Sequence, residues 1–540
     1  MNHRAMNLRR REAPAVVAAL LLLAAAGCTD LTVEPQSTVT ESNIFNDPSS
    51  YLAFIAREYA GLAVSGQQGP AGLPDISGID EGFSQYLRLY WETQELPTDE
   101  AVIAWNDIGL PEMNTQTWTS QSRMVVAMYY RIYFQAVFAN EFLRQTTDAK
   151  LTARGNVPPG LRAQIRQYRA EARFLRALSY WHGIDLFGDI PLVTESDLIG
   201  GPPPQQSTRT DVYNFIVTEL NAIRDSLPPT GAAPDANTYG RATAPAADML
   251  LAELYLNSEA YTGTPRWTEA LTAAQSVITS GYYSLDPSYR HLFQADNNTS
   301  PEIIFAITQD GKRTQTYGGV TFLAHASCGG SMSNSSYGIN GCWWGLRIKP
   351  QADSFYAAGD NRPAYFYTTG QTVAVTSIGD FTKGIAAPKF QNVTSTGAPP
   401  SDSAFVDTDF PVFRLGEAYL IYAEAVLRGG GGTRAQALTY VNALRERAYG
   451  GTSGDITDAE LTLPFILAER GRELLWEAHR RTDLIRYGLF TGGTYLWAWK
   501  GQDPNGTNSA GIATDAHLNL YPLPYSEVVA NPNLKQNSGY

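Results

Sequence analysis

The chain is poor in the residues and motifs that build metal centres and nucleotide sites. Its 540 residues include three cysteines and six histidines, and there is no CxxC pair, HExxH helix, phosphate-binding loop, dinucleotide fingerprint or GxSxG motif. These absences predict no cofactor and no metal site, and they argue against an enzyme. They do not exclude glycosidase chemistry, for which two carboxylates suffice.

The chain also lacks an excess of positive charge. Its net charge is −13, and removing residues 1–27, which hold four arginines and one glutamate, makes it −16. A protein with this negative net charge is not expected to bind nucleic acid, or to bind anionic lipid through a basic patch. The sequence therefore predicts no nucleic-acid partner.

One apolar run occurs near the N-terminus, and it is too short to span a bilayer. Four arginines precede the 12 apolar residues 15–26, and Gly27 then leads into Cys28. This order is typical of a signal peptide, here 1–27, and it resembles the bacterial lipobox, although Ala25 replaces the usual leucine. We therefore expect Cys28 to carry lipid; the alternative is an ordinary cleaved signal with a chance cysteine. Polar residues 28–48 then form a tether, so the lipid anchor is the only predicted membrane attachment.

The other two cysteines, Cys328 and Cys342, bracket the flexible segment GGSMSNSSYGING. In an exported protein such a pair can close a disulfide. A metal pair is the alternative, but no CxxC or clustered histidines accompany it. We expect the disulfide.

Helical periodicity dominates the rest of the chain, residues 49–540, which we treat as one body. Apolar residues in 165–175 recur at helical spacing, the glycines 429–432 separate two helices, and residues 458–488 read as one long helix. Stacked hairpins of the tetratricopeptide kind are favoured, although no clean 34-residue period survives. The predicted fold class is mainly α, with a helical scaffold over about 49–60, 121–280 and 411–490.

Two long stretches do not follow helical periodicity. Residues 61–120 are rich in Gly, Pro, Asp and Trp, and residues 281–410 are rich in Gly, Ser, Asn and Thr with short β-like runs. Compact domains rarely keep such long irregular segments without a function. We expect them to pack together on one side of the scaffold and to carry the ligand site.

Five motifs follow one another along the chain. They are YRAEARFLRALSYWHGIDLFGDIPLV, GRATAPAADMLLAELYL, FPVFRLGEAYLIYAEAVLRGG, NALRERAYGG with ERGRELLWEAHRRTDLIRYG, and NLYPLPYSEVVANPNLKQNSGY. In this order they resemble the SusD/RagB family of surface lipoproteins. The resemblance covers nearly the whole chain and ends with a C-terminal signature in 491–540.

The resemblance implies about four tetratricopeptide-like helix pairs supporting a loop-rich subdomain. It also implies a lipid-anchored outer-membrane protein, facing outward, that binds glycans or other nutrient oligomers. Its partner would be a SusC-like TonB-dependent transporter, on which it acts as a hinged lid. A surface glycoside hydrolase and a helical scaffold that binds no ligand are the alternatives, and the identity of the oligomer stays open.

Aromatic side chains are the predicted ligand contacts, because a flat ring covers the apolar face of a sugar. The candidates come from the two irregular regions, and burial in the core is the competing explanation for each tryptophan. They are Trp343, Trp344, Tyr337, Trp105, Trp118 and Trp91.

Acidic residues raise the question of acid–base chemistry. The segment ERGRELLWEAHRRTD spaces Glu469, Glu473 and Glu477 by four residues, and we expect a structural ion-pair network that fixes this helix against the C-terminal segment. Asp99, in the loop ELPTDEAVIAWND, is a candidate for binding sugar hydroxyls or for ordering that loop. The loop QDPNGTN lacks a full calcium-binding pattern and reads as a surface turn.

Overall fold

The computed structural model describes residues 44–230 and 237–540. The predicted signal peptide, Cys28 and most of the predicted tether lie outside these residues. A short 3₁₀ helix, Ile44–Asn46, comes first, and the compact body covers residues 51–540. In the described part of the chain, no helix is long and apolar enough to cross a membrane.

The body is mainly helical, as expected from the sequence. Its α-helices are α1 (Ser50–Ala63), α2 (Tyr86–Glu95), α3 (Pro111–Thr115), α4 (Arg123–Gln145), α5 (Asp148–Arg154), α6 (Pro159–Phe187), α7 (Arg209–Ile223), α8 (Ala244–Leu256), α9 (Ser258–Thr262), α10 (Trp267–Thr279), α11 (Gly319–Ala326), α12 (Pro350–Asp353), α13 (Leu415–Leu427), α14 (Arg434–Tyr449), α15 (Leu463–Glu473), α16 (Arg480–Arg486) and α17 (Tyr525–Ala530).

The long helices stack in an order that follows the chain. Helix α4 packs on α6, α6 on α7, α8 on α10, α10 on α13, and α13 on α14. Helices that pack on one another in chain order form a helical-repeat scaffold, in which each pair buries its apolar face against the next. The predicted fold class, mainly α with helical hairpins, is confirmed.

Local signals in the sequence account for the helix faces and ends. The stripe Ile165, Tyr168, Ala172 and Leu175 is buried along α6. At the start of α7, the hydroxyl of Thr208 accepts a hydrogen bond from the Asp211 N–H at 3.1 Å, which satisfies one of the free amides of the first turn. The glycine run 429–432 separates α13 from α14, as expected.

Three two-stranded antiparallel sheets occur among the described residues. They pair β1 (Ala101–Ile103) with β5 (Leu346–Ile348), β2 (Ile190–Pro191) with β3 (Gln206–Ser207), and β4 (Ile303–Ile307) with β6 (Phe410–Arg414). The β1–β5 pairing sets Ala101 opposite Ile348. It therefore joins the two loop-rich regions, which are far apart in sequence.

The first loop-rich region is more regular than its composition predicts. It contains α2, and every residue of this helix is buried. Its polar side chains are buried and paired inside the protein, as Arg88 is with Glu92 at 2.8 Å and Gln94 is with Asp185 at 2.8 Å, so they do not mark a solvent-facing side of the helix. This is why the segment YLRLYWETQE reads as irregular chain.

The long helix predicted over 458–488 is wrong, because the chain leaves the helical path between α15 and α16. Trp476 and Ala478 have left-handed backbone angles, with φ of 62° and 66°. The Trp476 N–H donates to the Glu100 carboxylate at 3.1 Å, and its carbonyl oxygen accepts from the Trp91 indole N–H at 3.0 Å. These partners from another segment replace the helical hydrogen bonds.

The charged motif around this break forms a buried ion-pair network, as predicted. Arg414 contacts Glu473 at 2.7 Å and Glu477 at 2.6 Å, while Arg362 contacts Glu469 at 2.8 Å. The network mainly holds the motif against β6 and the loop before it, rather than against the C-terminal segment as we expected. Paired in this way, the three carboxylates are not available for acid–base chemistry.

Candidate functional site

The paired tryptophans follow a loop that is closed at its neck. Cys328 and Cys342 form a disulfide with their Cα atoms 4.7 Å apart. The backbone N–H groups of Trp343 and Trp344 donate to the carbonyl oxygens of His325 and Cys328, each at 2.9 Å. The segment that carries both indoles is thus fixed to the C-terminal end of α11.

Trp343 is half-buried at the centre of an aromatic cluster. Its indole stacks on the imidazole of His325, with ring centroids 4.5 Å apart and planes inclined by 27°. The rings of Tyr317 and Trp105 lie 6.2 Å and 6.4 Å away. Burial lowers the pKa of His325, and its Nδ1 donates to the Gly341 carbonyl oxygen at 2.7 Å, so a neutral ring supports the indole.

Trp344 points away from this cluster and is 49% exposed. Its backbone has a φ of 55°, and its indole lies 5.8 Å from the ring of the buried Phe381. Because Trp343 and Trp344 contact different neighbours, their two indoles do not form one continuous plane.

Trp105, in the first loop-rich region, contacts the segment that follows the disulfide-closed loop. Its indole N–H donates to the Trp343 carbonyl oxygen at 2.9 Å. Beneath it, the guanidinium of the buried Arg88 lies 5.6 Å from the Trp105 ring and 4.1 Å from the Phe322 ring. The half-buried indole is thereby held from both sides, and the exposed Asn106 and Asp107 follow it in the chain.

Tyr337 lies within the disulfide-closed loop, at the end of a short 3₁₀ turn. Its side chain is half-buried, and its carbonyl oxygen accepts from the Asn392 N–H at 2.9 Å. It keeps the partial exposure that a ligand contact needs.

Three predicted ligand residues are sealed in the interior, and their assignment as ligand contacts is wrong. Trp91 is fully buried edge-on against Trp476, and the Trp118 indole N–H donates to the Tyr540 hydroxyl at 2.7 Å. Asp99 is fully buried and receives both arms of the Arg480 guanidinium, at 2.8 and 2.7 Å. Asp99 therefore orders its loop, the second of the two roles proposed from the sequence.

One aromatic residue of the surface was missed from the sequence. Tyr317 is 45% exposed, and its ring lies between those of Trp343 and Phe405. It stands in an ordinary polar stretch, TQTYGG, and only the start of α11 directly after it brings it beside the tryptophans. We define the ring surface as Tyr317, Trp105, Trp343 and Trp344.

A cluster of metal-ligating groups is present in the scaffold, but its chemistry fits a proton better than a cation. Glu253, Glu417 and His479 are buried with ligand atoms within 4.8 Å of one another. Burial and the neighbouring Glu253 raise the pKa of Glu417 well above its ordinary value. The Arg470 guanidinium lies 3.5 Å from Glu253 and already supplies a positive charge. Glu417 therefore favours its protonated form, which a cation ligand would have to give up.

Together, these features define a helical-repeat scaffold that carries an open aromatic surface on its loops. The SusD family model matches residues 294–540. The starch-binding protein SusD of Bacteroides thetaiotaomicron is 34% identical over 583 aligned residues, covering 97% of this chain and 98% of that protein. The chain belongs to the SusD family.

Solved structures share the fold. A SusD-like carbohydrate binding protein from Bacteroides fragilis superposes with a TM-score of 0.71 at 19% identity, covering 91% of this chain and 100% of that one. Surface glycan-binding protein A from Bacteroides thetaiotaomicron, in complex with laminarihexaose, gives 0.67 at 20% identity, covering 90% and 98%.

Proposed function

We propose that this protein is a lipid-anchored surface protein that binds glycan oligomers at the ring surface and delivers them to a SusC-like TonB-dependent transporter. The observation that carries the proposal is the exposure of rigidly held indoles. Trp344 is half exposed, although its backbone is fixed by the disulfide and by the contact with Cys328. Rings held in place before the ligand arrives lose little conformational freedom on binding.

The names of the relatives support a glycan as the ligand class. One is a starch-binding protein and another is a surface glycan-binding protein solved with laminarihexaose. Starch and laminarin differ in their linkages, so the names agree on glucose polymers without agreeing on one polymer. We therefore propose only that this chain binds glycans. Binding measurements with a panel of soluble glucans and other plant and host glycans would identify which glycan it binds.

Calorimetry with that panel tests the binding site. We expect at least one glycan to bind a truncated chain of residues 44–540, and the double variant W343A/W344A of that chain to bind it at least tenfold more weakly. The matched control is W267A, which removes a half-buried tryptophan from the start of α10. An unchanged affinity in the double variant would refute the ring surface as the site.

We also propose that the protein captures its ligand without cutting it. The carboxylates of the charged motif are buried and ion-paired, and Asp99 is bound by Arg480. A glycosidase requires two available carboxyl groups that flank the bond to be broken. Incubation of the purified protein with labelled oligosaccharides should give no product, and saturable release of shorter sugars would favour the hydrolase instead.

The anchor completes the proposal and rests on the lipobox-like sequence before Cys28. We expect the mature chain to begin at an acylated Cys28 and to face the outside of the outer membrane. Mass spectrometry of the purified N-terminal peptide should show the lipid, and C28A should leave the membrane fraction. Protease added to intact cells should degrade the wild-type body if it faces outward.

A further inference from the structure

The disulfide-closed loop ends in a pair of residues that is chemically reactive. The chain contains two Asn-Gly pairs, Asn340–Gly341 and Asn505–Gly506. An asparagine that precedes glycine readily loses its side-chain amide, because glycine has no Cβ to obstruct the ring closure that expels it. Asn340 lies two residues before Cys342, and Trp343 follows that cysteine directly. A change at this pair therefore occurs beside the ring surface.

The two groups that have to meet are both accessible. Asn340 is exposed, and within residues 44–230 and 237–540 no acceptor takes the Gly341 N–H. A Cβ atom built on Gly341 would have no neighbour within 4 Å. The Gly341 nitrogen can therefore approach the side chain of Asn340 without first breaking a hydrogen bond or displacing another side chain.

The second Asn-Gly pair lacks one of these conditions. Asn505 is also exposed, but the Gly506 N–H donates to the Asp503 carbonyl oxygen at 2.9 Å. A Cβ atom on Gly506 would lie 3.1 Å from the same oxygen, so the turn is closed around this nitrogen. The hydrogen bond has to be given up before the nitrogen can react, and the two pairs are a matched comparison within one chain.

We propose that Asn340 is a site of spontaneous deamidation, which changes the charge and the main-chain length of the disulfide-closed loop as the protein ages. The Gly341 nitrogen loses its proton, bonds to Cγ of Asn340 and expels the side-chain nitrogen as ammonia, which leaves a succinimide ring. Water then adds to one of the two ring carbonyls and breaks the bond between that carbon and the Gly341 nitrogen. The sum is hydrolysis of an amide by water, and nothing is oxidised or reduced.

The ring can open in two ways, and the products differ in the course of the main chain. Breaking the bond at Cγ gives aspartate, which keeps the original main chain. Breaking the bond at the main-chain carbonyl carbon gives isoaspartate, in which the chain runs through Cβ and Cγ. Isoaspartate therefore adds one C–C bond of about 1.5 Å to the main chain.

The loop holds the main chain on both sides of the reacting bond. The Asn340 N–H donates to the Ser403 carbonyl oxygen at 2.9 Å, and the Gly341 carbonyl oxygen accepts from Nδ1 of His325 at 2.7 Å. An added bond between these two contacts displaces at least one of them. Because the His325 ring stacks on Trp343 with centroids 4.5 Å apart, isoaspartate disturbs the support of the central indole.

The consequence for the ligand rests on the proposed function, whereas the modification itself does not. Groups of a binding site have to stay within about 0.5 Å of their productive positions, so isoaspartate should weaken glycan binding. Aspartate adds only a negative charge on an exposed side chain, where water and salt screen it. The two products should therefore differ in affinity.

Peptide mapping of the purified full-length chain tests the modification. The protein is incubated in mildly alkaline buffer made with heavy-oxygen water, which the hydrolysis step incorporates, and its peptides are analysed by mass spectrometry over time. We expect labelled aspartate and isoaspartate to form about fivefold faster at position 340 than at position 505, where a hydrogen bond has to be broken first. No product at 340, or an equal or faster rate at 505, would overturn the proposal.

Two variants separate this chemistry from a loss of folding. Gly341 does not have a left-handed backbone, and a Cβ atom there meets open space, so G341A should keep the wild-type melting temperature. It should slow the reaction at position 340 and leave the rate at position 505 unchanged. N340Q, whose side chain is one carbon too long for the same ring, should give no product at 340. A wild-type rate in G341A would overturn the proposed attack by the Gly341 nitrogen.

Calorimetry on the aged protein tests the consequence for binding. The isoaspartate form, separated by chromatography, should bind the best glycan of the panel about threefold more weakly or worse, and N340D should bind it like the fresh protein. If the isoaspartate form binds as tightly as the fresh chain, the proposed effect on the ring surface is wrong. If the fresh chain binds no glycan, the proposed function fails and the deamidation at Asn340 stands.

Discussion

The indole N–H of Trp105 donates a hydrogen bond to the carbonyl oxygen of Trp343 at 2.9 Å, across 238 residues of sequence. This bond joins the loop after β1 to the disulfide-closed loop, next to the point where β1 and β5 pair. The position of the central indole in the ring surface therefore depends on both loop-rich regions.

Removing this donor should weaken ligand binding. W105F keeps an aromatic ring but leaves the Trp343 carbonyl oxygen without its partner, a change that costs about 1 kcal/mol, or roughly fivefold in affinity. Calorimetry with the best glycan of the panel measures it. The control is W118F, which deletes a comparable indole donor to Tyr540 in the interior. It should lower the melting temperature without changing the affinity, and an equal loss of affinity in both variants would contradict the prediction.

Truncating the most exposed indole should affect binding alone. Trp344 is half exposed, and its ring lies 5.8 Å from that of Phe381, so W344A should weaken binding by about 1 to 2 kcal/mol with little change in the melting temperature. W343A should lower both, because Trp343 also packs on His325. Calorimetry and thermal unfolding distinguish the two outcomes, and a large loss of stability in W344A would show that this indole serves packing instead.

Opening the disulfide should loosen the ring surface. The bond between Cys328 and Cys342 closes a loop with a sequence separation of 14, which the chain-entropy model values at about 3 kcal/mol. Adding a reductant should therefore lower the urea midpoint and weaken glycan binding. The double variant C328S/C342S should behave like the reduced protein and should not respond to the reductant. If reduction leaves both properties unchanged, the loop is held by its backbone hydrogen bonds alone.

Breaking the buried ion-pair network should destabilise the body without affecting the ligand site. Glu473 lies between the guanidinium groups of Arg414, at 2.7 Å, and Arg362, at 3.0 Å. E473Q leaves buried positive charge uncompensated, which typically costs about 3 to 5 kcal/mol. Urea unfolding measures the loss, and the exposed E460Q serves as the control with little expected effect. Weakened glycan binding in E473Q at low temperature would argue that the network also shapes the site.

The same network predicts loss of stability in acid. Burial by itself raises the pKa of Glu469, but Arg362, Arg472 and Arg445 outweigh it and lower the pKa from 4.5 to about 2. As the pH falls below about 4.5, the unfolded chain binds this proton before the folded chain does. The stabilisation is complete above that pH and is lost toward pH 2, at up to about 1.4 kcal/mol per pH unit for one group.

Urea midpoints measured from pH 6 to pH 3 check this expectation. The variant E469Q should be less stable at neutral pH and should show a shallower fall in acid. A wild-type profile that stays flat between pH 4.5 and pH 3 would contradict the lowered pKa.

The sequence alone determined the features that arise from neighbouring residues. The stripe of α6, the capping at Thr208 and the glycine run before α14 are local patterns, and the folded chain keeps each of them. The family motifs likewise identified the scaffold, because they preserve residue types at short spacing. The two cysteines were recognisable as a pair from the flexible segment between them.

The tertiary structure decided which side chains reach solvent and where the chain leaves a regular path. Trp91 and Trp344 are the same residue type in loop-rich regions, yet one is sealed against Trp476 and the other is half exposed. The break at Trp476 has no local signal, because its hydrogen-bond partners, Glu100 and Trp91, come from the other end of the chain. Burial and long-range hydrogen bonding depend on contacts between distant segments, and those contacts exist only once the chain has folded.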